Sequence, residues 1–193
     1  MIFAKKSLGQ NFLRSTKALR QIVEAAHLSE GEIVVEIGPG EGVLTAELLG
    51  AKAKVLAIEK DDRLIPILSE RFKVEINNGS LKLIPGDALN LESILEENAL
   101  KQGGFKIVAN IPYYITGALL PLILGGKIQP SLTVVLVQKE VAIRVLARNH
   151  KESILSMSIK AYGKPRIVDY VPAGAFVPAP NVDSAILCVE NIS

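Results

Sequence analysis

The stretch "KIVANIPYYIT" (Lys106–Thr116) ends a short apolar run with an amide, a proline and two tyrosines. Asn and Pro are poor strand residues, so the chain turns here. The Asn110 side chain and the Ile111 carbonyl are two acceptors that together could hold both hydrogens of an exocyclic amine. Tyr113 could stack on the ring that carries this amine, and Pro112 stiffens the turn. Taken alone, however, the stretch is more typical of an Asn-Pro turn with a packed tyrosine.

Polar groups also follow the three preceding predicted strands. The turn "EIGPGEG" after the first strand has glycines in G-x-G-x-G spacing, which lets the backbone approach a ligand. Glu59 ends "KVLAIE" and can accept hydrogen bonds from both hydroxyls of a ribose, while Asp87 can accept from an adenine amino group. Each feature alone is typical of a tight turn, a cap or a surface charge. Together with Asn110 they predict a nucleoside pocket at one edge of a sheet.

The kind of nucleoside follows from what the turn lacks. A dinucleotide fingerprint, G-x-G-x-x-G, requires glycine where Val43 stands, and no phosphate-binding G-x-x-x-x-G-K-[ST] occurs. S-adenosylmethionine is a nucleoside without a pyrophosphate, and its sulfonium favours nearby carboxylates, for which Glu36 is one candidate. We therefore predict S-adenosylmethionine as the cofactor. A nicotinamide oxidoreductase is the alternative that Val43 disfavours.

Strand and helix patterns alternate along the chain, from "EIVVEIG" to "LTVVLVQ". Such alternation predicts an α/β fold with right-handed crossovers and a mostly parallel sheet covered on both faces. Residues 15–27 are predicted to form a helix with Ser15 as its N-cap. The last two strands, "RIVDYVP" and "AILCVEN", have no helix between them, so we expect them to pair antiparallel at one edge.

Composition limits the class of protein. The 193 residues are 49% hydrophobic and 22% charged, as expected for a globular chain, and no apolar run reaches the ~18 residues of a membrane span. Cys188 is the single cysteine, and with only His27 and His150 available we expect no disulfide and no metal site. A reducing, cytoplasmic setting is predicted, with no membrane partner.

The N-terminal segment is basic. Residues 1–23 contain five lysines and arginines and no acid. This charge suits a polyanion such as RNA, since each cation can displace counterions from phosphate. A solvated helix face with its balancing acids elsewhere explains the charge equally well.

Seven ordered motifs together resemble those of the ribosomal RNA adenine dimethyltransferases, which include the KsgA type and the erythromycin-resistance enzymes. The motifs are "LGQNFL" (8–13), "EIGPGEGVLT" (36–45), "IEKD" (58–61), "GDAL" (86–89), "NIPYYIT" (110–116), "QKEVA" (138–142) and "FVPAPNVDSA" (176–185). The resemblance implies a Rossmann-like class I S-adenosylmethionine-dependent methyltransferase fold with seven strands, the last antiparallel. It also implies two successive methyl transfers to N6 of adenine.

The resemblance further implies roles for individual residues. Asn110 would lie between methyl donor and target, with Ile111 and Pro112 beside it. Tyr113 and Phe176 would sandwich the target base, which must leave its stack to be reached. Gly38 would lie under the methionine part of the cofactor, with Glu59 on the ribose and Asp87 on the adenine. The full set of expected cofactor contacts is Gln10, Asn11, Leu13, Gly38, Gly40, Glu59, Lys60, Asp87, Ala88 and Asn110.

The "NVDSA" motif, with Asp183, is more similar to the KsgA type, which acts on small-subunit ribosomal RNA. The expected substrate is therefore two adjacent adenosines near the 3′ end of 16S RNA in an immature small subunit, bound by a monomer. The alternatives are a large-subunit methyltransferase of the macrolide-resistance type and a non-catalytic RNA-binding assembly factor. We expect residues 1–193 to form one catalytic domain, with a basic arm and helix over 1–30 and without the family's helical C-terminal domain.

Overall fold

The computed structural model describes residues 9–146 and 153–193. Its strands form one large sheet and one small sheet. The strands are β1 (Phe12–Leu13), β2 (Ile33–Ile37), β3 (Lys54–Glu59), β4 (Leu81–Pro85), β5 (Lys106–Asn110), β6 (Leu132–Gln138), β7 (Lys164–Val171), β8 (Phe176–Val177) and β9 (Ser184–Glu190). The helices are α1 (Thr16–Ala25), α2 (Val43–Gly50), α3 (Ile65–Arg71), α4 (Lys73–Asn77), α5 (Leu91–Glu97), α6 (Thr116–Gly125), α7 (Lys139–Leu146) and α8 (Ile154–Tyr162).

Among the described residues the large sheet has seven strands in the order β4-β3-β2-β5-β6-β9-β7. The first five strands of this order are parallel to one another, and β9 runs antiparallel to both β6 and β7. The mostly parallel sheet and the antiparallel last strand were both predicted. The chain builds outward from β2 to β4 and then returns to place β5 on the other side of β2. This reversal of strand order opens a crevice at the carboxyl ends of β2 and β5.

Alternating side chains of the central strands build two cores, one on each face of the sheet. On β2, Val34 packs into the first core and Val35 into the second. On β6, Val134 and Val135 divide in the same way. Each such fully buried aliphatic side chain stabilises the fold by roughly 1.5–3 kcal/mol, so the sheet is a rigid support for the loops at its edge.

The first helix begins where the sequence predicts. The Ser15 hydroxyl accepts a hydrogen bond from the Ala18 amide at 3.2 Å, which satisfies one of the unpaired donors of the first turn of α1. Two basic side chains of this region form ion pairs with acids. Arg14 pairs with Glu41 at 2.5 Å and Lys17 pairs with Asp169 at 3.1 Å, so acids elsewhere balance these two charges. Lys5 and Lys6 lie outside the described residues.

Three other helices have features that the alternation of patterns does not specify. Helix α3 begins at Ile65, and a separate helix, α4, follows Phe72. Helix α2 ends at Gly50, and Lys52 takes the left-handed conformation after it, with φ 61°. Pro121 lies inside α6, which stays continuous around it. In the two described ranges, no helix is long and apolar enough to cross a membrane.

The small sheet was not predicted. Strands β1 and β8 pair antiparallel over two residues each, with Phe12 opposite Val177 and Leu13 opposite Phe176. The Arg14 amide extends the contact by donating to the Ala175 carbonyl at 2.7 Å. This pairing fixes the segment before α1 to the loop between β7 and β9, and it brings that segment over the crevice.

Candidate active site

A cleft lies at the crevice between β2 and β5 and extends along the carboxyl ends of β3 and β4. Its empty space is about 760 Å³, open solvent included. Most of the predicted site residues line it: Gln10, Asn11, Gly38, Gly40, Glu59, Lys60, Asp87, Ala88, Asn110, Ile111, Pro112 and Tyr113. Leu13 and Phe176 do not belong to its lining.

The glycine-rich turn borders the cleft through Gly38 and Gly40, and two of its glycines have little room for a side chain. A Cβ atom at Gly40 would lie 3.1 Å from the ring of Phe12, and one at Gly42 would lie 2.5 Å from the ring of Phe72. Both glycines also have positive φ, which disfavours any other residue there. The third glycine therefore serves the packing of the turn against Phe72, and α2 begins with Val43 directly after it.

Glu59 is held in place at the centre of the cleft and is only 5% exposed. One carboxylate oxygen accepts from the Gly40 amide at 3.1 Å and the other from the Asp61 amide at 2.8 Å. Burial raises the pKa of this carboxyl, and the two amide hydrogen bonds oppose that effect. Each oxygen has a further lone pair, so Glu59 can accept two more hydrogen bonds from a ligand.

Asp87 and Lys60 form an ion pair at the far end of the cleft, with 2.6 Å between Lys60 Nζ and Asp87 Oδ2. The other Asp87 oxygen accepts from the Leu89 amide at 3.0 Å and caps the short 3₁₀ turn Ala88–Asn90. The Leu89 amide, followed by Lys60, lowers the pKa of Asp87. Asp87 is therefore a charged, fixed acceptor, as a contact to an amino group requires.

Residues 9–12 cover one side of the cleft through hydrogen bonds that the sequence did not reveal. Gln10 Nε2 donates to Asp61 at 2.8 Å, and Arg63 makes three hydrogen bonds to the same carboxylate, two from its side chain and one from its amide. Hydrogen bonds from Arg63, above all, hold the pKa of Asp61 well below its usual range. Asp61 in turn donates its amide to Glu59, so one buried acid links the N-terminal segment to the centre of the cleft. Its place two residues after the end of β3 was the available signal.

The Asn110 side chain is oriented by the same segment. Its Nδ2 donates to the Asn11 carbonyl at 3.2 Å, which fixes the plane of the amide at the end of β5. Three residues on, the half-buried Tyr113 shares a hydrogen bond of 2.5 Å between its hydroxyl and Ser184 Oγ. Burial raises the pKa of Tyr113, so its phenol stays neutral. An amide and an aromatic ring thus stand side by side at the mouth of the cleft, as the sequence predicts.

Leu13 and Phe176 lie outside the cleft because the small sheet turns both side chains inward. They are opposite each other in the β1–β8 pair, each is 2% exposed, and both belong to the core that contains α1 and α2. Phe12, the neighbour of Leu13, lines the cleft instead. A cofactor contact by Leu13 and a base contact by Phe176 stay predictions, and the second requires the buried ring to become accessible when a substrate binds.

Glu36 lies beneath the cleft and does not line it. It is 1% exposed, the Thr45 hydroxyl donates to its Oε2 at 2.6 Å, and its Oε1 has no hydrogen-bond partner among the described residues. Burial, with a smaller contribution from the nearby charge of Glu59, raises the pKa of Glu36 to about 8. Within residues 9–146 and 153–193, no group of three or more His, Cys, Asp or Glu side chains is placed to hold a metal ion.

The sequence model of the ribosomal RNA adenine dimethylase family matches residues 2–192. The chain belongs to this family. It is 47% identical over 186 residues to the ribosomal RNA small subunit methyltransferase A of Dehalococcoides mccartyi, an alignment that covers 95% of this chain and 62% of the relative. The chain therefore spans less than two thirds of the length of that relative.

Solved structures of family relatives have the same fold. A dimethyladenosine transferase from Plasmodium falciparum is similar with a TM-score of 0.79 and 32% identity, over 93% of this chain and 62% of that one. The 23S rRNA methyltransferase ErmE gives a TM-score of 0.78 and 30% identity, over 93% and 69%. The fold is the Rossmann-like fold of S-adenosylmethionine-dependent methyltransferases, which confirms the predicted fold class.

The buried Glu36 makes stability depend on pH. Its pKa is raised in the folded state, so the folded chain keeps a proton that the unfolded chain releases, and stability falls as pH rises from about 4.5 to about 8. One pKa unit corresponds to ~1.4 kcal/mol, so wild type should lose up to ~4 kcal/mol of its free energy of unfolding between pH 5 and pH 9 through Glu36. Glutamine cannot ionise, and we therefore expect Glu36→Gln to remove this loss. Urea denaturation of both proteins across this range measures the difference, and parallel curves would contradict it.

Proposed function

We propose that this chain is the catalytic domain of an S-adenosylmethionine-dependent ribosomal RNA adenine N6,N6-dimethyltransferase that acts on small-subunit RNA. The observation that carries this proposal is the convergence of Glu59, Asp87 and Asn110 in one cleft of a chain that matches the family over residues 2–192. Its substrate is two adjacent adenosines near the 3′ end of 16S RNA in the immature small subunit. The name of the Dehalococcoides mccartyi relative supports the small-subunit assignment.

The polar groups that line the cleft suit the chemistry of S-adenosylmethionine. Glu59 would hold the ribose by accepting hydrogen bonds from its two hydroxyls on the lone pairs that the backbone partners of Glu59 leave free. Asp87, with Ala88 beside it, accepts from the adenine amino group, and Lys60 keeps Asp87 charged and in place. Gly38 and Gly40 allow the backbone to approach the methionine part, and Gln10 and Asn11 close the cleft from above. The bound cofactor supplies an electrophilic methyl group on its sulfonium.

Asn110 prepares the target amine. No hydrogen bond among the described residues uses its Oδ1, and the bond from Nδ2 to Asn11 directs that oxygen. Oδ1 and the Ile111 carbonyl, held by the turn at Pro112, accept the two hydrogens of the adenine N6 amine. The lone pair of this amine is delocalised into the ring. Hydrogen bonds that favour tetrahedral geometry at the nitrogen make the lone pair available for attack on the methyl group. Attack forms the N–CH3 bond as the S–CH3 bond breaks, which would leave a neutral thioether. The amine becomes acidic only as it gains the methyl group, so water can take its proton, no strong base is required, and orientation provides most of the rate.

Tyr113 stacks on the adenine that has left its RNA stack, a contact worth ~1–3 kcal/mol per base. Its half-buried ring stands directly beside Asn110 at the mouth of the cleft. Phe176 covers the other face of the base once its ring is released from the core. The second methyl transfer repeats the first on the same nitrogen, which Asn110 and Ile111 then hold through its one remaining hydrogen.

A large-subunit methyltransferase is the second candidate function. The similarity to the 23S rRNA methyltransferase ErmE favours it. The 47% identity to a small-subunit enzyme exceeds the 30% identity to ErmE, and for that reason we prefer the small-subunit substrate.

Methyl transfer from radiolabelled S-adenosylmethionine to immature small and large subunits tests the function. We expect label in small-subunit RNA and a fall of ~100-fold or more for Asn110→Ala, the size of effect seen when one polar group of a reacting centre is removed. Asn77→Ala, on an exposed face of α4, is the matched control and should keep full activity. Label in the large subunit would favour the second candidate. RNA binding without any transfer would indicate an assembly factor and contradict both.

The ribose role of Glu59 predicts the effect of Glu59→Gln on cofactor affinity. Hydrogen bonds to a charged group are worth ~1.5–3 kcal/mol, so we expect the Kd for S-adenosylmethionine to rise about 10- to 100-fold. Glu47→Gln replaces an exposed carboxylate on α2 and should leave Kd unchanged. Isothermal titration calorimetry measures both variants, and an unaltered Kd for Glu59→Gln would remove Glu59 from the cofactor site.

The base-platform role of Phe176 predicts that Phe176→Leu lowers methyl transfer while the affinity for S-adenosylmethionine stays nearly intact. Leucine keeps the apolar packing but has no aromatic face, so ~1–3 kcal/mol of stacking is lost. Phe105→Leu changes an equally buried phenylalanine in the opposite core and corrects for packing. Single-turnover rates and calorimetry on the two variants measure this split. A large loss of cofactor affinity in Phe176→Leu alone would show that the ring acts elsewhere.

A further inference from the structure

The hydroxyl of Tyr113 has no part in stacking. A phenylalanine at this position would offer the same aromatic face, yet the chain has a tyrosine whose hydroxyl lies 2.5 Å from Ser184 Oγ. Among the described residues this is the one hydrogen bond that the Tyr113 hydroxyl makes. The hydroxyl lies on the long axis of the side chain, so the bond restrains χ1 and thereby the direction in which the ring projects from the turn.

Ser184 is a firm anchor for such a bond. It is the first residue of β9, and its backbone pairs with Gln138 of β6 on one side and with Val171 of β7 on the other. Its side chain is 0% exposed. The serine therefore belongs to the sheet itself, whereas Tyr113 stands on a short 3₁₀ turn after β5. The hydrogen bond transfers the rigidity of the sheet to the ring.

We propose that Ser184 is a positioning residue for methyl transfer: its hydroxyl fixes Tyr113 so that the target base is presented to Asn110. This inference rests on the proposed function, in which Tyr113 is a base platform. Asn110 is fixed separately, through Asn11, so the two groups that receive the base are aligned by two independent hydrogen bonds. Ser184 touches neither cofactor nor base, and its effect passes through Tyr113 alone.

The test is a double-mutant cycle on the rate of methyl transfer, with wild type, Ser184→Ala, Tyr113→Phe and the double variant. We expect each single change to lower kcat about 10- to 100-fold, since misplacement by ~1 Å can cost ~100-fold. The double variant should be no slower than either single variant, because both changes remove the same bond. The Kd for S-adenosylmethionine should stay within about twofold of wild type in all four proteins.

Ser156→Ala is the control, because it removes another fully buried serine hydroxyl, on α8. It should keep wild-type kcat. Tyr113→Phe probes the bond without altering the sheet, so it decides the matter even where Ser184→Ala fails to fold.

Three results would overturn the role of Ser184. The first is full kcat in Tyr113→Phe or in Ser184→Ala. The second is a further fall in kcat when Ser184→Ala is added to Tyr113→Phe, which would mean that the serine acts through general packing. The third is a wild type that transfers no methyl group to any RNA, which would overturn the proposed function at the same time. If the wild type is active, the proposed function stands, and the first or second result then contradicts the role of Ser184 alone.

Discussion

The reversal of strand order between β2 and β5 is the constraint on which the candidate active site depends. Because these strands are neighbours while their connections leave in opposite directions, no helix covers the sheet edge between them. The glycine turn and Asn110 meet there, and the strand ends of β3 and β4 extend the same edge with Glu59 and Asp87. The residues are far apart in sequence, and parallel pairing alone brings them together.

Buried acids support this edge at some cost in stability. Glu36, Glu59 and Asp61 are each 5% exposed or less, and a desolvated carboxylate is unfavourable unless hydrogen bonds compensate it. Glu59 and Asp61 receive such bonds from backbone amides, Gln10 and Arg63, whereas Glu36 keeps one oxygen without a partner among the described residues. Residues that lower stability in this way are expected at sites that serve a function.

The position of the cleft could be predicted from the polar residues at the strand ends. Features that depend on contacts between residues far apart in the sequence could not. Glu59, Asp87 and Asn110 each end or follow an apolar run, so their positions could be inferred from pattern and parallel topology. The burial of Phe176 could not, because a two-residue strand such as β8 has no periodicity, and its partner Leu13 lies more than 160 residues away. The role of Asp61 could not be predicted for a related reason. It depends on the hydrogen bond from Gln10, and the β1–β8 pairing holds the segment that contains Gln10 over the cleft.

The place of β9 has a consequence for how the sheet is assembled. Strand β7 precedes β9 in the chain, yet within the described sheet it is hydrogen-bonded to β9 alone. As the polypeptide emerges from a ribosome, β7 has no neighbour to join until the segment from Ser184 onward has been made. The large sheet is therefore complete only when β9 has paired with both β6 and β7. Loss of β9 would also separate β7 from the sheet.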